Sequence, residues 1–183
     1  GSVCRWMLPL PPTRGWWAPA GAQPTSPCGC PPRRTRPWSR SSSPDALADL
    51  ARFVLAQAPL HERALAELRT GRKTSHWMWF VFPQHVALGR SATARHFGIA
   101  SAAEAAAYWR HPVLGPRLAA CCDALLALQD RSAHAIFGSP DDLKLRSSMT
   151  LFAHAVPDEP RFAQVLARYC DGAPDPLTLA LLA

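Results

Sequence analysis

Two stretches of the chain carry reactive residue types at spacings that could bring them together. The first is Leu143-Lys144-Leu145-Arg146-Ser147-Ser148-Met149-Thr150-Leu151-Phe152. A helical advance of about 100° per residue places Leu145, Met149 and Phe152 on one face. Lys144, Ser147 and Ser148 then fall within an arc of about 100° on another. An ammonium beside two hydroxyls suits a phosphate or a carboxylate, and a Lys next to a Ser can also activate it as a nucleophile. The same pattern has a packing explanation. Small serines let helices approach closely, and a Lys can carry its charge out to water along an apolar stem.

The second stretch is Arg72-Lys73-Thr74-Ser75-His76-Trp77-Met78-Trp79-Phe80-Val81-Phe82-Pro83-Gln84. As a strand it would turn His76, Met78, Phe80 and Phe82 one way and Trp77, Trp79 and Val81 the other. As a helix it would be apolar all round and therefore central. One reading is a core element whose indole N–H groups find local partners. The other is a pocket wall, with Trp77 and Trp79 offering faces to a planar ligand, Gln84 a polar edge, and His76 acting as acid or base.

A third stretch, His111-Pro112-Val113-Leu114-Gly115-Pro116-Arg117, leads into a helix N-terminus. Free amide N–H groups there favour an anion, which His111 and Arg117 would flank. The alternative is a stiff connector between packed helices. His134 and His154 stand alone on helices, and Glu62 and Glu67 read as solvated. Asp141-Asp142 reads as a helix-start pair, or as carboxylates placed near Lys144. The chain has no glycine-rich phosphate loop, His-Glu-x-x-His or Gly-x-Ser-x-Gly. Its cysteines, Cys4, Cys28, Cys30, Cys121, Cys122 and Cys170, form no Cys-x-x-Cys pair. The expectation is therefore no metal, no cofactor and reduced thiols in a cytoplasmic protein.

Most of the elements that must hold these stretches are helical. Apolar residues recur at helical spacing after Asp45 (Leu47, Leu50, Phe53, Val54), and Pro59 ends that run. Further helices are expected at Leu60–Arg69, Ser91–Phe97, Ser101–Arg110, from Pro116, at Ser132–Gly138, from Ser139, at Pro160–Tyr169 and from Asp175. Ser101-x-x-Glu104 has the form of a capping box. Gly71 and Gly172 sit where helices end. The architecture expected is a compact all-α, single-domain fold of eight or nine mostly short helices.

That fold should occupy residues 44–183. The chain has 183 residues and a formal net charge of +7. Residues 1–43 hold six arginines, no acidic residue, nine of the 19 prolines and four of the seven tryptophans. Such a segment lacks periodicity and is expected to be a disordered Pro/Arg/Trp-rich tail, either a functional tail or upstream sequence read from a misassigned start. The remaining 140 residues carry 14 basic against 13 acidic side chains. A near-neutral balance argues against nucleic acid as the partner of the domain. No uncharged stretch is continuous enough to span a membrane. Only Lys73 and Lys144 are lysines, so each is informative.

Taken together, Gly71–Gln84, Tyr108–Leu118 and Phe137–Phe152 resemble the family called domain of unknown function 1810. The resemblance runs over roughly residues 45–183. It implies a small, mostly helical, single-domain bacterial protein of the cytosol and supplies no activity, substrate or cofactor. Some bacterial members carry the label calpastatin. These residues give that label no physical basis, because inhibitors of that type act through disordered segments that fold on their target.

Two functions follow as expectations. One is binding, or acting on, a small anionic ligand bearing phosphate or carboxylate. Trp77, Trp79, Gln84, Lys144, Arg146, Ser147 and Ser148 would line the pocket, and His76 or His111 would be near the chemistry. The other is a non-catalytic interaction module whose polar groups are structural. Under the first, the Ser75–Gln84 segment and the Leu143–Phe152 helix should share one polar pocket. Whether the protein is an enzyme, and its oligomeric state, stay open.

Overall fold

The computed structural model describes the backbone of residues 44–183 and the side chains from Leu50 onward. The tail expected over residues 1–43 lies outside the described residues. Among the described residues ten α-helices follow one another: α1 (Pro44–Gln57), α2 (His61–Arg69), α3 (Met78–Val81), α4 (Ala92–His96), α5 (Ala102–Arg110), α6 (Leu114–Ala127), α7 (Ala133–Phe137), α8 (Asp141–Ala155), α9 (Pro160–Tyr169) and α10 (Pro176–Leu182). A 3₁₀ turn spans Val86–Leu88. The all-α expectation holds among the described residues, with ten helices rather than eight or nine. The aromatic run left open between strand and helix contains the short α3. Among the described residues, strand-like pairing is confined to one parallel bridge between His85 and Ile99.

Local sequence sets many of the helix ends. The hydroxyls of Ser91, Ser101 and Ser132 accept from the backbone N–H groups of Ala94, Glu104 and Ala135. Glu104 closes its box one residue early, accepting from Ala100 N at 2.7 Å and from Arg52 at 2.8 Å. Gly71, at φ +67°, ends α2 in the left-handed region. Regular α8 begins at Asp141, without a side-chain cap from Ser139.

The middle of the fold is α8, which packs against α5, α7, α9 and α10. Leu145, Met149 and Phe152 are fully buried, as their stripe predicts. Because α8 has neighbours on several sides, Ser147, Ser148, Thr150 and Leu151 are buried too. Aromatic rings link the helices around it. Phe53 meets Tyr108 edge-on at 5.1 Å, Tyr108 lies 5.4 Å from Phe152, and Phe152 lies 5.4 Å from Phe162. The buried Gln57 amide donates to Phe80 O at 2.6 Å and to the Tyr108 hydroxyl at 2.7 Å, tying α1 to α3 and α5.

Candidate functional site

The aromatic segment is held by a carboxylate. Glu67, read from sequence as solvated, is buried on α2. It accepts from the backbone N–H of Thr74 and Ser75, from both of their hydroxyls, and from Trp77 Nε1 at 2.9 Å. Burial pushes its carboxyl up. The hydrogen bonds from Ser75, Thr74 and Trp77 outweigh that and hold it well below the usual range. Five local donors on one acid explain how the chain turns from α2 into α3. Sequence spacing gave no sign of it, since the partners lie off the helix, seven to ten residues ahead.

Past that turn, Trp79 and Gln84 reach the rim of a cleft of about 530 Å³. The 82–91 loop and α4 form one wall, with Leu88, Arg90, Ser91 and Ala94. The first two turns of α8 and the start of α10 form the other, with Leu143, Lys144, Arg146, Ser147, Asp175 and Leu177. The cleft thus brings together Trp79, Gln84, Lys144, Arg146 and Ser147 from the sequence candidates. Arg90, Ser91 and Asp175 were missed. Ser91 had been read as a helix start, which it also is.

Lys144 places its ammonium 5.0 Å from the centre of the Trp79 ring, over its face. It donates to Asp141 Oδ1 at 2.7 Å. Lys73 reaches the other oxygen of the same carboxylate, also at 2.7 Å, and lies over Trp77 at 5.4 Å. The only two lysines of the chain therefore share one acid, and each lies over a tryptophan. Burial raises the Asp141 pKa, but hydrogen bonds and charge from Lys144 and Lys73 bring it below its ordinary value. Lys144 keeps two N–H donors beyond the one given to Asp141.

Arg146 and Ser147 have structural duties as well. Arg146 donates from Nε to Ala173 O and from Nη2 to Pro174 O, both at 2.9 Å. Ser147 bonds Asp175 Oδ2 at 3.0 Å, and that oxygen also accepts from the N–H and hydroxyl of Thr178. These bonds fasten the start of α10 to α8. Ser147 is thus a poor candidate nucleophile, its hydroxyl being engaged by Leu143 O and Asp175.

Four candidates lie elsewhere. Trp77 is fully buried and bonded to Glu67, so it offers no face to a ligand. Ser148 is fully buried in the packing side of α8. His76 is exposed, its ring 6.4 Å from that of Trp79, and it does not line the cleft. His111 accepts at Nδ1 from Val113 N and Leu114 N at 3.2 and 3.4 Å. Its imidazole caps α6 and occupies the amide groups that an anion would have used.

Comparison with known proteins covers the helices that carry this cleft. A family model described as "Protein of unknown function (DUF1810)" matches residues 47–182. The chain belongs to the DUF1810 family. A solved structure, that of the conserved hypothetical protein Rv1873 from Mycobacterium tuberculosis, is 54% identical. The match covers 73% of this chain and 96% of that one, with a TM-score of 0.72. No curated protein matches. Among the described residues of this DUF1810 chain, no helix is long and apolar enough to cross a membrane. No group of His, Cys, Asp and Glu among them is placed to hold a metal ion.

Proposed function

We propose that the cleft between the Trp79–Ala94 segment and the start of α8 binds a small anionic ligand bearing phosphate or carboxylate. The observation that carries this reading is the sign of its lining. Lys144, Arg146 and Arg90 line one cavity with a single lining acid, Asp175, whose Oδ2 is already engaged by Ser147 and Thr178. Asp141, which pairs with Lys144, is shared with Lys73, so positive charge remains in excess. A concave site with convergent cations and an apolar remainder favours a small anion over a flat protein surface. The reading is of binding. His76 and His111, the candidate acid–base groups, do not line the cavity. The free thiols of Cys121, Cys122 and Cys170 support a reducing, cytoplasmic setting.

Lys144→Met tests the proposal, because it keeps the apolar stem and removes the charge. Phosphate- and carboxylate-bearing metabolites should raise the thermal midpoint of the unsubstituted protein beyond an ionic-strength-matched chloride control. That increment should disappear in the variant. An equal increment in both proteins, or none in either, overturns the reading.

A second reading, a non-catalytic interaction module, is favoured by the apolar surface of α10, where Leu177, Leu179 and Leu181 are all exposed. It predicts concentration-dependent self-association or capture of a partner, lost in Leu179→Asp/Leu181→Asp. These two residues do not line the cleft, so the two readings separate cleanly.

A further inference from the structure

We infer that the ligand of this cleft is an amphiphile, with one anionic head group and an aliphatic rather than planar body. The inference rests on the anion reading above and goes on to assign the rest of the molecule. At about 530 Å³ the cavity falls within the range of sites that enclose whole small molecules, so a bare phosphate or acetate would leave most of it empty. The larger part of the ligand must therefore meet something other than the cations.

What it meets is aliphatic. Trp79 is the one aromatic side chain lining the cleft among the described residues. The Lys144 ammonium already lies over its ring, held there by Asp141, and the His76 ring lies beside it. A nucleobase or benzenoid ring stacking on that face would have to displace the cation from both its ring and its carboxylate. The remaining apolar contacts are Leu88, Ala94, Pro140, Leu143 and Leu177. Leu143 and Leu177 are 61% and 64% exposed, on the neighbouring elements α8 and α10. Two large leucines facing one cavity leave apolar surface in water that a hydrocarbon chain would cover. The head group has donors to meet as well. Lys144 keeps two, and the Gln84 amide and Arg90 guanidinium make no hydrogen bond to the described residues.

The shared chemistry, a negative head on an aliphatic chain, could come from a free acyl carboxylate or alkyl phosphate, or from a lipid in a bilayer. We assign it to the free amphiphile, because the site is a cleft set between two walls, the 82–91 loop with α4 and α8 with α10, rather than a flat apolar face. Isothermal titration with the full chain, below micelle-forming concentrations, tests this with decanoate, octyl phosphate, octylamine, acetate, inorganic phosphate and adenosine monophosphate. Decanoate and octyl phosphate should bind at least tenfold more tightly than acetate and inorganic phosphate, and octylamine should not bind. Adenosine monophosphate should bind no more tightly than inorganic phosphate. Leu143→Gln/Leu177→Gln should remove the advantage of the long chain and leave the weak affinity for inorganic phosphate unchanged. Lys144→Met should weaken every anion, with unfolding midpoints measured alongside to show that each variant folds. If adenosine monophosphate binds as tightly as decanoate, or if inorganic phosphate matches octyl phosphate, the inference fails and the anion reading survives. If no anion binds, both fail. Binding to phosphatidylglycerol vesicles without binding to free decanoate or octyl phosphate overturns the assignment to a free ligand.

Discussion

Glu67 shows how much one side chain can decide. Its carboxylate satisfies two backbone N–H groups, two hydroxyls and an indole, and it also pairs with Arg63 at 3.1 Å. Glu67→Gln retains an acceptor oxygen but removes the charge and turns half of the group into a donor facing donors. A cost of about 2–4 kcal/mol is expected, with Trp77 and the start of α3 loosened. Glu67 and Asp141 both have folded pKa values below their unfolded ones. Their contribution to stability is therefore complete above the unfolded carboxylate range and is lost as pH falls through and below about 4. Denaturant midpoints measured from pH 7 to pH 3 should be level at first and then fall. Glu67→Gln should flatten the fall; a slope unchanged from the parent protein would contradict the role given to Glu67.

At the scale of the element, close approach matters more than propensity. Gly115 lies in the first turn of α6, where an added Cβ would come within 2.0 Å of the Trp109 carbonyl oxygen on α5. That contact is backbone, so no side chain can swing aside. Gly115→Ala should cost about 2–3 kcal/mol, although alanine ordinarily favours a helix. Chemical denaturation settles it, since a neutral or stabilising result would mean that α5 and α6 can separate freely. His111 acts at the same junction by capping α6. The joint between α8 and α10 follows another pattern. Thr150 Oγ1 donates to Arg146 O and accepts from Asp175 N, both at 2.8 Å, so residues remote in sequence supply the contacts.

For the whole molecule, the family match at residues 47–182 coincides with the capped and packed helices. We expect the tail to add nothing to stability. A chain beginning at Ser43 should unfold at the same thermal midpoint as the full chain. A drop of several degrees in calorimetry would show that residues 1–42 belong to the fold. The fold's burial also governs its thiols. Burial pushes the Cys121 thiol up to about 12 and that of Cys122 well above its ordinary value, which leaves both as packing groups at neutral pH.

The sequence by itself determined the helical character, most helix boundaries and the core stripe of α8. These depend on spacing, caps and glycines within a few residues of one another, and local sterics and hydrogen bonding fix them before any distant contact forms. Leu145, Met149 and Phe152, or Ser101 and Glu104, are legible for that reason. It also brought forward Lys144, Trp79 and Gln84, because rare charges and polar groups set in apolar runs stand out. Only the tertiary structure decided which of them meet. Ser148 shares a helical arc with Lys144, yet α8 has neighbours on several sides and the arc is divided between cleft and core. Trp77 and Trp79 are two residues apart, but one is held inside by Glu67 and the other opens to the cleft. Arg90 and Asp175 enter the site from loops far away in the chain, and Asp141 takes Lys73 from nearly seventy residues upstream. Such pairings depend on how the helices pack, which periodicity along the chain does not encode.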